Sequence, residues 1–206
     1  RFIHRLGVEG RAGYIFQTNP FLEYSNHQYK AMKNAYAGHL KYSFQLRPHT
    51  VADQAYIGAY QGIGVGYFNF GNPEELGNPL AVYLFQGGRI AQFSPRISLN
   101  YEWNFGASFG WKPYDEYDNP ENQIIGSKVN AYLNVNLYLK WALSPKFDLM
   151  IGATGSHFSN GNTQYPNSGL NTVDCKVGLV YNFNRRADEL AQSWQRPIVP
   201  PFPRHV

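Results

Sequence analysis

The sequence has one cysteine, few charges and no long apolar run, and each shortage excludes a class of protein. Cys175 has no second cysteine to pair with, which excludes an intrachain disulfide framework. No stretch of eighteen or more apolar residues occurs, which excludes a protein that crosses a membrane with helices. The net charge of +4 is spread along the chain, so no nucleic-acid partner is predicted. Nor is a metal or cofactor predicted, because four of the histidines lie far apart (His4, His27, His39, His49).

Aromatic residues and glycine are abundant instead. The 206 residues include 16 Tyr, 14 Phe, 4 Trp and 20 Gly, and only 16% of them are charged. This composition favours β structure, and in particular a membrane barrel with aromatic belts at both interfaces. The negative mean hydropathy of −0.44 agrees with a barrel, since only alternate strand residues meet lipid. The length suits a single domain.

Two stretches, 97–111 and 129–143, alternate strictly between apolar and polar residues. The polar side of the second stretch extends from Lys128 to Lys140. Alternation of this length, with charges on one side, favours a membrane barrel over a soluble sandwich. It also argues against a soluble lipid carrier, which would need an apolar interior.

Six further stretches are predicted to be strands. Together with the two above they predict an all-β, eight-stranded antiparallel transmembrane β-barrel. Long loops are predicted at 18–35, 69–79, 112–123 and 160–169, and short turns at 47–53, 93–96 and 144–146. Outer-membrane barrels have long outer loops and short periplasmic turns, which orients the predicted barrel. The facing of the third and fourth strands is left open. The other strands are predicted at 6–17, 36–46, 54–68, 80–91, 149–159 and 171–183.

The charged residues of the predicted strands occupy the alternate positions that face the polar side. The interior of an eight-stranded barrel is filled by side chains, so we interpret these charges as a structural salt-bridge network and not a pore. They are Glu9, Arg11, Lys41, Glu102, Lys128, Lys140, Asp148, Asp174 and Lys176.

The composition changes after the last predicted strand, which divides the chain into a barrel at 1–183 and a proline-rich periplasmic tail at 184–206. Near its start the tail has two adjacent arginines, Arg185 and Arg186, which are followed by a helix-like segment at 187–194 and then by four prolines. It is either disordered or a contact for a protein partner. The chain begins at Arg1 without a signal peptide, and we favour a mature, processed chain over a cytosolic one.

The segment Gly155-Ser156-His157-Phe158-Ser159-Asn160-Gly161 carries the predicted chemistry. Side chains alternate along a strand, so His157 and Ser159 share a face. That face is the apolar one of its strand from Leu149 onward, which indicates a lipid or acyl substrate. A hydroxyl beside an imidazole is the usual arrangement of an activated serine nucleophile. The alternative is that both are polar residues at the membrane interface.

His157-Phe158-Ser159-Asn160, followed by Pro166-Asn167-x-Gly169, resembles the signature of the outer-membrane lipid A 3-O-deacylases of the PagL type. The resemblance covers roughly residues 6–183. It implies an outer-membrane barrel whose Ser-His-Glu triad faces the outer leaflet and whose substrate is lipid A of lipopolysaccharide. Ser159 matches the nucleophile and His157 the general base, and no cofactor is implied.

Two further implications of the resemblance concern Asn160, Gly161 and Asn171. Asn160 and Gly161 match the oxyanion hole, although Asn-Gly is also a common turn dipeptide. Asn171 stands where the family has its acid, fourteen residues after His157. An amide oxygen can orient an imidazole but cannot stabilise its charge. The sequence therefore permits a slower esterase, a Ser-His dyad, or a catalytically inactive barrel that serves as a structural or interaction subunit of an outer-membrane complex.

Overall fold

Eight antiparallel strands close into a barrel, which confirms the predicted fold class. The structure is a computed structural model that describes residues 2–48 and 50–192. Each strand pairs with its neighbours in the chain, and the first closes the barrel by pairing with the last. Within the described ranges, the strands are β1 (Phe2–Ile15), β2 (Asn34–Leu46), β3 (Tyr60–Asn69), β4 (Gly77–Gln92), β5 (Ile97–Trp111), β6 (Val129–Ala142), β7 (Phe147–Ser159) and β8 (Leu170–Asn182), and the helices are α1 (Pro20–Glu23), α2 (Val51–Ala55) and α3 (Ala187–Gln192).

The barrel wall presents apolar side chains outward and polar ones inward. In β6, Val135 is 67% exposed, whereas Asn134 and Asn136 beside it are buried. A surface of exposed aliphatic and aromatic residues around a polar interior is the arrangement of a barrel in lipid. Among the described residues, no helix has both the length and the hydropathy needed to cross a membrane.

The third strand begins later than the sequence predicts. Residues 51–55 form α2, because the hydroxyl of Thr50 caps the helix by accepting from the backbone N–H of Asp53. The prediction of a strand from residue 54 is therefore wrong, and β3 begins at Tyr60. The placement of Lys128 in the interior is also wrong, since this residue precedes β6 and is exposed.

The structure settles the facing of β3 and β4. The glycines of β3 face inward, and Gly64 and Gly66 lie against the rings of Tyr83 and His39. Ile63, Val65 and Tyr67 of β3 and Leu80, Val82 and Leu84 of β4 face outward. Large inward rings on β4 therefore fill the space that the inward glycines of β3 leave.

The interior has an aromatic half and a charged middle. At the end of the barrel that contains the long loops, Phe158 packs against Phe68 with ring centroids 5.0 Å apart. In the middle, Glu9 lies 2.6 Å from Arg11 and 3.0 Å from Lys176. Glu102 pairs with Lys41 and accepts from the hydroxyl of Tyr60. The prediction of a salt-bridge network is confirmed for these residues.

The connections at one end of the barrel are longer than those at the other end, except that 47–59 at the second end is also long. One end has 16–33, 70–76, 112–128 and 160–169, and the other has 47–59, 93–96 and 143–146. The connection 47–59 is longer than predicted, because it contains α2. The end with the two longest loops, 16–33 and 112–128, corresponds to the outside of an outer-membrane barrel.

The segment after β8 lies against the end with the short turns. The guanidinium of Arg185 donates to both carboxylate oxygens of Asp148, at 2.7 and 2.8 Å, and to the carbonyls of Ser144 and Pro145. Glu189 of α3 pairs with Arg47 at 2.5 Å. Most of the predicted proline-rich tail, 193–206, lies outside the described residues. The domain boundary at 183/184 and a protein contact through 184–206 stay predictions.

Candidate active site

The outer end of β7 is anchored by Phe158, which is fully buried. Its ring packs edge-on against Trp111 and stacks on Tyr132, with centroids 5.2 Å away in both cases. Because side chains alternate along a strand, this inward ring directs His157 and Ser159 outward. The inward residue thereby fixes the face on which the polar pair lies.

The structure brings the three residues of the predicted site together. Nε2 of His157 lies 3.0 Å from Oγ of Ser159, and Nδ1 lies 2.6 Å from Oδ1 of Asn171. His157 and Asn171 are direct partners in the β7–β8 ladder. An amide oxygen only accepts, so Nδ1 carries the proton and Nε2 is left to accept from the serine hydroxyl. This is the tautomer that a general base for Ser159 requires.

The site faces outward at the level where the barrel wall meets the long loops. His157, Ser159 and Asn171 are each half-buried. Leu133, the β6 partner of His157, is 43% exposed, and Val173, two residues along β8 from Asn171, is 44% exposed. The polar group therefore lies at the edge of the apolar surface, beside the long loops.

Hydrogen bonds of asparagine side chains fix the conformation of the loop after Ser159. Oδ1 of Asn167 accepts from the backbone N–H of Asn160 at 3.0 Å, and its Nδ2 donates to Oδ1 of Asn162. Nδ2 of Asn160 donates to the carbonyl of Gln164 at 2.7 Å, which uses one of its two hydrogens. Gly161 has φ of +65° and open space around its Cα.

Gly169 packs against the site, a role that the motif alone does not reveal. Its φ is +73°, and a Cβ placed there would lie 3.2 Å from Cε1 of His157. Gly169 and Ser168 donate backbone hydrogen bonds to the carbonyls of Ile124 and Gln123 in the β5–β6 loop. The β7–β8 loop is thus fixed by a loop distant in sequence, a contact that strand periodicity does not predict.

Within residues 2–48 and 50–192, no group of three or more His, Cys, Asp or Glu side chains is arranged to hold a metal ion. The side chains at the site itself offer a hydroxyl, an imidazole and amides. Together they can activate a serine oxygen as a nucleophile.

Fold and site together define an eight-stranded outer-membrane barrel with a serine-histidine pair on its outward face. A family model described as lipid A 3-O-deacylase (PagL) matches residues 6–180. The chain belongs to this family and is a barrel of the bacterial outer membrane, which confirms the family and location implied by the motif.

Solved structures show the same fold at low identity. The outer-membrane enzyme PagL is 14% identical, with a TM-score of 0.54, and the match covers 84% of this chain and 97% of that chain. Neisserial surface protein A is 10% identical, with a TM-score of 0.50, over 88% of this chain and 96% of that chain. No curated protein matches the sequence.

Proposed function

We propose that the protein is an outer-membrane esterase that hydrolyses an ester-linked acyl chain of lipid A by a serine-histidine mechanism. The observation that carries the proposal is the 3.0 Å contact between Nε2 of His157 and Oγ of Ser159 on the outward face. Membership of the lipid A 3-O-deacylase family supports the choice of substrate. With the long loops outside, this pair would lie at the level of the outer leaflet, which contains lipopolysaccharide.

The reaction follows from the geometry in two halves. Oγ of Ser159 attacks the ester carbonyl while its proton passes to Nε2 of His157. The tetrahedral intermediate then expels the sugar oxygen, which takes the proton from Nε2, and an acyl-enzyme remains. Water attacks the acyl-enzyme in the same way, and the fatty acid leaves as Ser159 regains its proton.

The developing negative charge on the carbonyl oxygen needs hydrogen-bond donors. We assign this role to the second amide hydrogen of Asn160 and to the backbone N–H of Gly161, both directly after the nucleophile. The bond from Asn160 to the carbonyl of Gln164 preorganises the amide, so little reorganisation is needed as the charge forms. Losing one such donor costs about two to three orders of magnitude in rate.

Asn171 is an orienting residue in this proposal. Its amide oxygen holds the imidazole in the required tautomer, but a neutral amide does not stabilise the imidazolium that forms during attack. In a serine protease, changing the acid to its amide lowers the rate by about four orders of magnitude. The enzyme is therefore expected to be slow.

The same amide supports a second candidate function. A barrel that has lost catalysis, and that serves as a structural or interaction subunit of an outer-membrane complex, would no longer need a carboxylate at Asn171. The two candidates differ in whether lipid A loses an acyl chain.

The deciding experiment is mass spectrometry of lipid A from cells that express the protein. We expect loss of one hydroxyacyl mass with the native chain and none with Ser159→Ala. Ser156→Ala is the matched control, because Ser156 lies on the same strand but is buried and faces inward. Unchanged lipid A with the native chain but deacylation with Asn171→Glu would favour the inactive barrel. Unchanged lipid A with both would exclude the esterase.

A further inference from the structure

Two glutamines interrupt the apolar outer surface of the barrel. From Leu80 to Ile90, the outward residues of β4 are aliphatic or glycine except for Gln86. The direct partner of Gln86 on β3 is Gln61, which is exposed on the same outward face. The β3–β4 hairpin therefore presents two adjacent side-chain amides to the membrane.

Gln86 lies within the apolar band of the wall and not at its edge. Toward the long loops it is followed by Leu84, and Gln61 by Ile63, which are 63% and 48% exposed. Toward the short turns, β4 continues to Ile90, which is 55% exposed and lies four residues, or about 13 Å along the strand, from Gln86. The hydrocarbon of the membrane therefore surrounds the barrel at the level of Gln86.

Neither amide has a hydrogen-bond partner in its own chain. Within residues 2–48 and 50–192, the side chains of Gln61 and Gln86 form no hydrogen bond. In hydrocarbon no water replaces the missing partner, and an unpaired amide there is strongly unfavourable. Lipid hydrocarbon chains offer neither a donor nor an acceptor. The two amides therefore require a polar partner that itself lies in the membrane.

An uncharged aromatic surface surrounds the two amides. Their neighbours in the ladder are Phe44 on β2 and Trp103 on β5. Two adjoining depressions, of about 400 and 420 Å³, share Phe44, Gln61 and Gln86 in their linings, and no charged residue lines either of them. Aromatic residues without charges, around a few hydrogen-bonding groups, are typical of the core of a protein–protein interface.

We propose that this face of the β3–β4 hairpin is the interface of a homodimer, in which Gln61 and Gln86 hydrogen-bond to the same two residues of a second copy. A carboxamide both donates and accepts, so it can pair with an identical group. A two-fold interface brings the same patch of two copies together, which is what a self-complementary group requires. Hydrogen bonds between amide side chains are also among the interactions that join protein segments inside membranes.

This dimer leaves both copies of Ser159 open to lipid. Around the closed barrel, β5 and β6 separate the β3–β4 hairpin from β7 and β8 on one side, and β1 and β2 separate them on the other. The proposed interface therefore lies opposite the serine-histidine pair. It does not depend on whether the protein is an esterase.

The first test measures association by sedimentation equilibrium of the full chain in a density-matched detergent. We expect a monomer–dimer equilibrium whose Kd rises about tenfold in Gln61→Leu with Gln86→Leu, because leucine removes the amides but keeps an apolar surface. The matched control is Ile151→Leu with Val177→Leu, a pair of ladder partners on the opposite hairpin, and it should keep the native Kd. A native protein that stays monomeric at every protein-to-detergent ratio would overturn the proposal, as would an unchanged Kd in the glutamine variant.

The second test locates the interface in lipid bilayers with a short bismaleimide crosslinker. Leu84→Cys, combined with Cys175→Ser, places the only thiol two residues from Gln86, and we expect it to give a crosslinked dimer. The native chain is the control, because its exposed Cys175 lies on β8 at the opposite face and should leave the protein monomeric. Crosslinking through Cys175, or none through Leu84→Cys, would contradict an interface at the two glutamines.

Discussion

At the scale of single residues, the proposed function depends most on the side-chain amide of Asn171. Oδ1 of Asn171 lies 2.6 Å from Nδ1 of His157, which is hydrogen-bond distance for either an amide or a carboxylate acceptor. The geometry of a triad is thus present, but the charge that would stabilise the imidazolium is absent. A substitution at residue 171 can therefore change the rate of the reaction without changing the geometry of the site.

We predict that Asn171→Asp increases the rate of acyl release from lipid A by about two to four orders of magnitude. The two side chains have the same shape, so the carboxylate keeps the contact with His157 and adds the missing charge. The measurement is fatty-acid release from lipid A in detergent micelles by the purified protein.

The matched control for this prediction is Asn162→Asp. Asn162 lies in the same loop and accepts from Nδ2 of Asn167, an acceptor role that aspartate preserves. It adds the same charge without touching His157, so its rate should not rise above that of the native protein. An equal or lower rate for Asn171→Asp would show that residue 171 does not assist the imidazole.

Gly169→Ala tests the packing behind the imidazole. The added Cβ would lie 3.1 Å from the carbonyl oxygen of Phe158 and 3.2 Å from Cε1 of His157, so the imidazole has to shift by a few tenths of an ångström relative to Ser159. The positive φ of +73° also costs about 1–2 kcal/mol of folding free energy for a residue with a side chain. We predict a loss of most activity together with this modest loss of stability, measured by acyl release and thermal unfolding.

Gly71→Ala is the control that separates the loss of stability caused by a positive φ from the loss of activity caused by the contact with His157. Gly71 has a similar φ of +80°, but a Cβ there meets nothing within 4 Å. It should lose similar stability and keep its activity. If both variants lose activity in proportion to stability, the contact with His157 is not what matters.

The sequence predicts part of this site for physical reasons. Strand alternation alone places His157 and Ser159 on one face, and hairpin pairing brings Asn171 to them. The contacts of Gly169 with Ile124, and of Asn167 with Asn160, join loop segments. Loop segments have no periodicity, so these contacts could not be predicted from the pattern.

At the scale of elements, long strands with strict alternation were predictable and glycine-rich ones were not. The outward and inward sets of β5 and β6 agree with their sequence pattern. In β3 the inward positions include Gly62, which offers no side chain to assign. In β4 the inward Tyr83 and Phe85 are as apolar as their outward neighbours, so the alternation of residues does not show which side of the strand faces inward.

The glycines of β3 provide a test of this close approach. A Cβ on Gly64 would lie 2.4 Å from the ring of Tyr83, and one on Gly38, in the neighbouring β2, would meet nothing within 4 Å. We predict that Gly64→Ala destabilises the barrel by about 1–3 kcal/mol, as overpacked interiors do. Gly38→Ala should be tolerated, because its side chain would enter lipid. The readout is the temperature at which the folded band disappears in gel electrophoresis.

If Gly64→Ala and Gly38→Ala both unfold at a lower temperature than the native protein, the strands of this barrel are sensitive to any substitution of glycine. In that case the inward packing against Tyr83 would not explain the result. Gly64→Ala combined with Tyr83→Phe would not restore stability, since the ring remains in place, whereas Tyr83→Ala should restore part of it.

At the scale of the whole molecule, the sequence pattern predicts a closed barrel but not how the end with the short turns is completed. Burial of Arg185 against Asp148 joins the segment after β8 to the start of β7. The sequence pattern places Asp148 in the interior but does not indicate Arg185 as its partner, because a charge after a last strand usually meets water. The pairing of β7 with β8 places the end of β8 beside the start of β7, and folding of the segment after β8 against that end brings the two charges together.

This pair gives the last prediction. Arg185→Met removes the salt-bridge partner of the buried Asp148 carboxylate, which then keeps only the amide of Asn182 and the more distant charge of Lys140. Breaking a buried pair in this way costs about 3–5 kcal/mol. Thermal unfolding in detergent should therefore fall well below that of the native barrel. Arg186→Met, at a position whose side chain is 67% exposed, should stay within about 0.5 kcal/mol of the native value. The double variant Arg185→Met with Asp148→Asn should recover part of the loss, because the unpaired charge is then removed. If the double variant is as unstable as the sum of its two single variants, the stability comes from the carbonyl contacts of Arg185 with Ser144 and Pro145 and not from the ion pair.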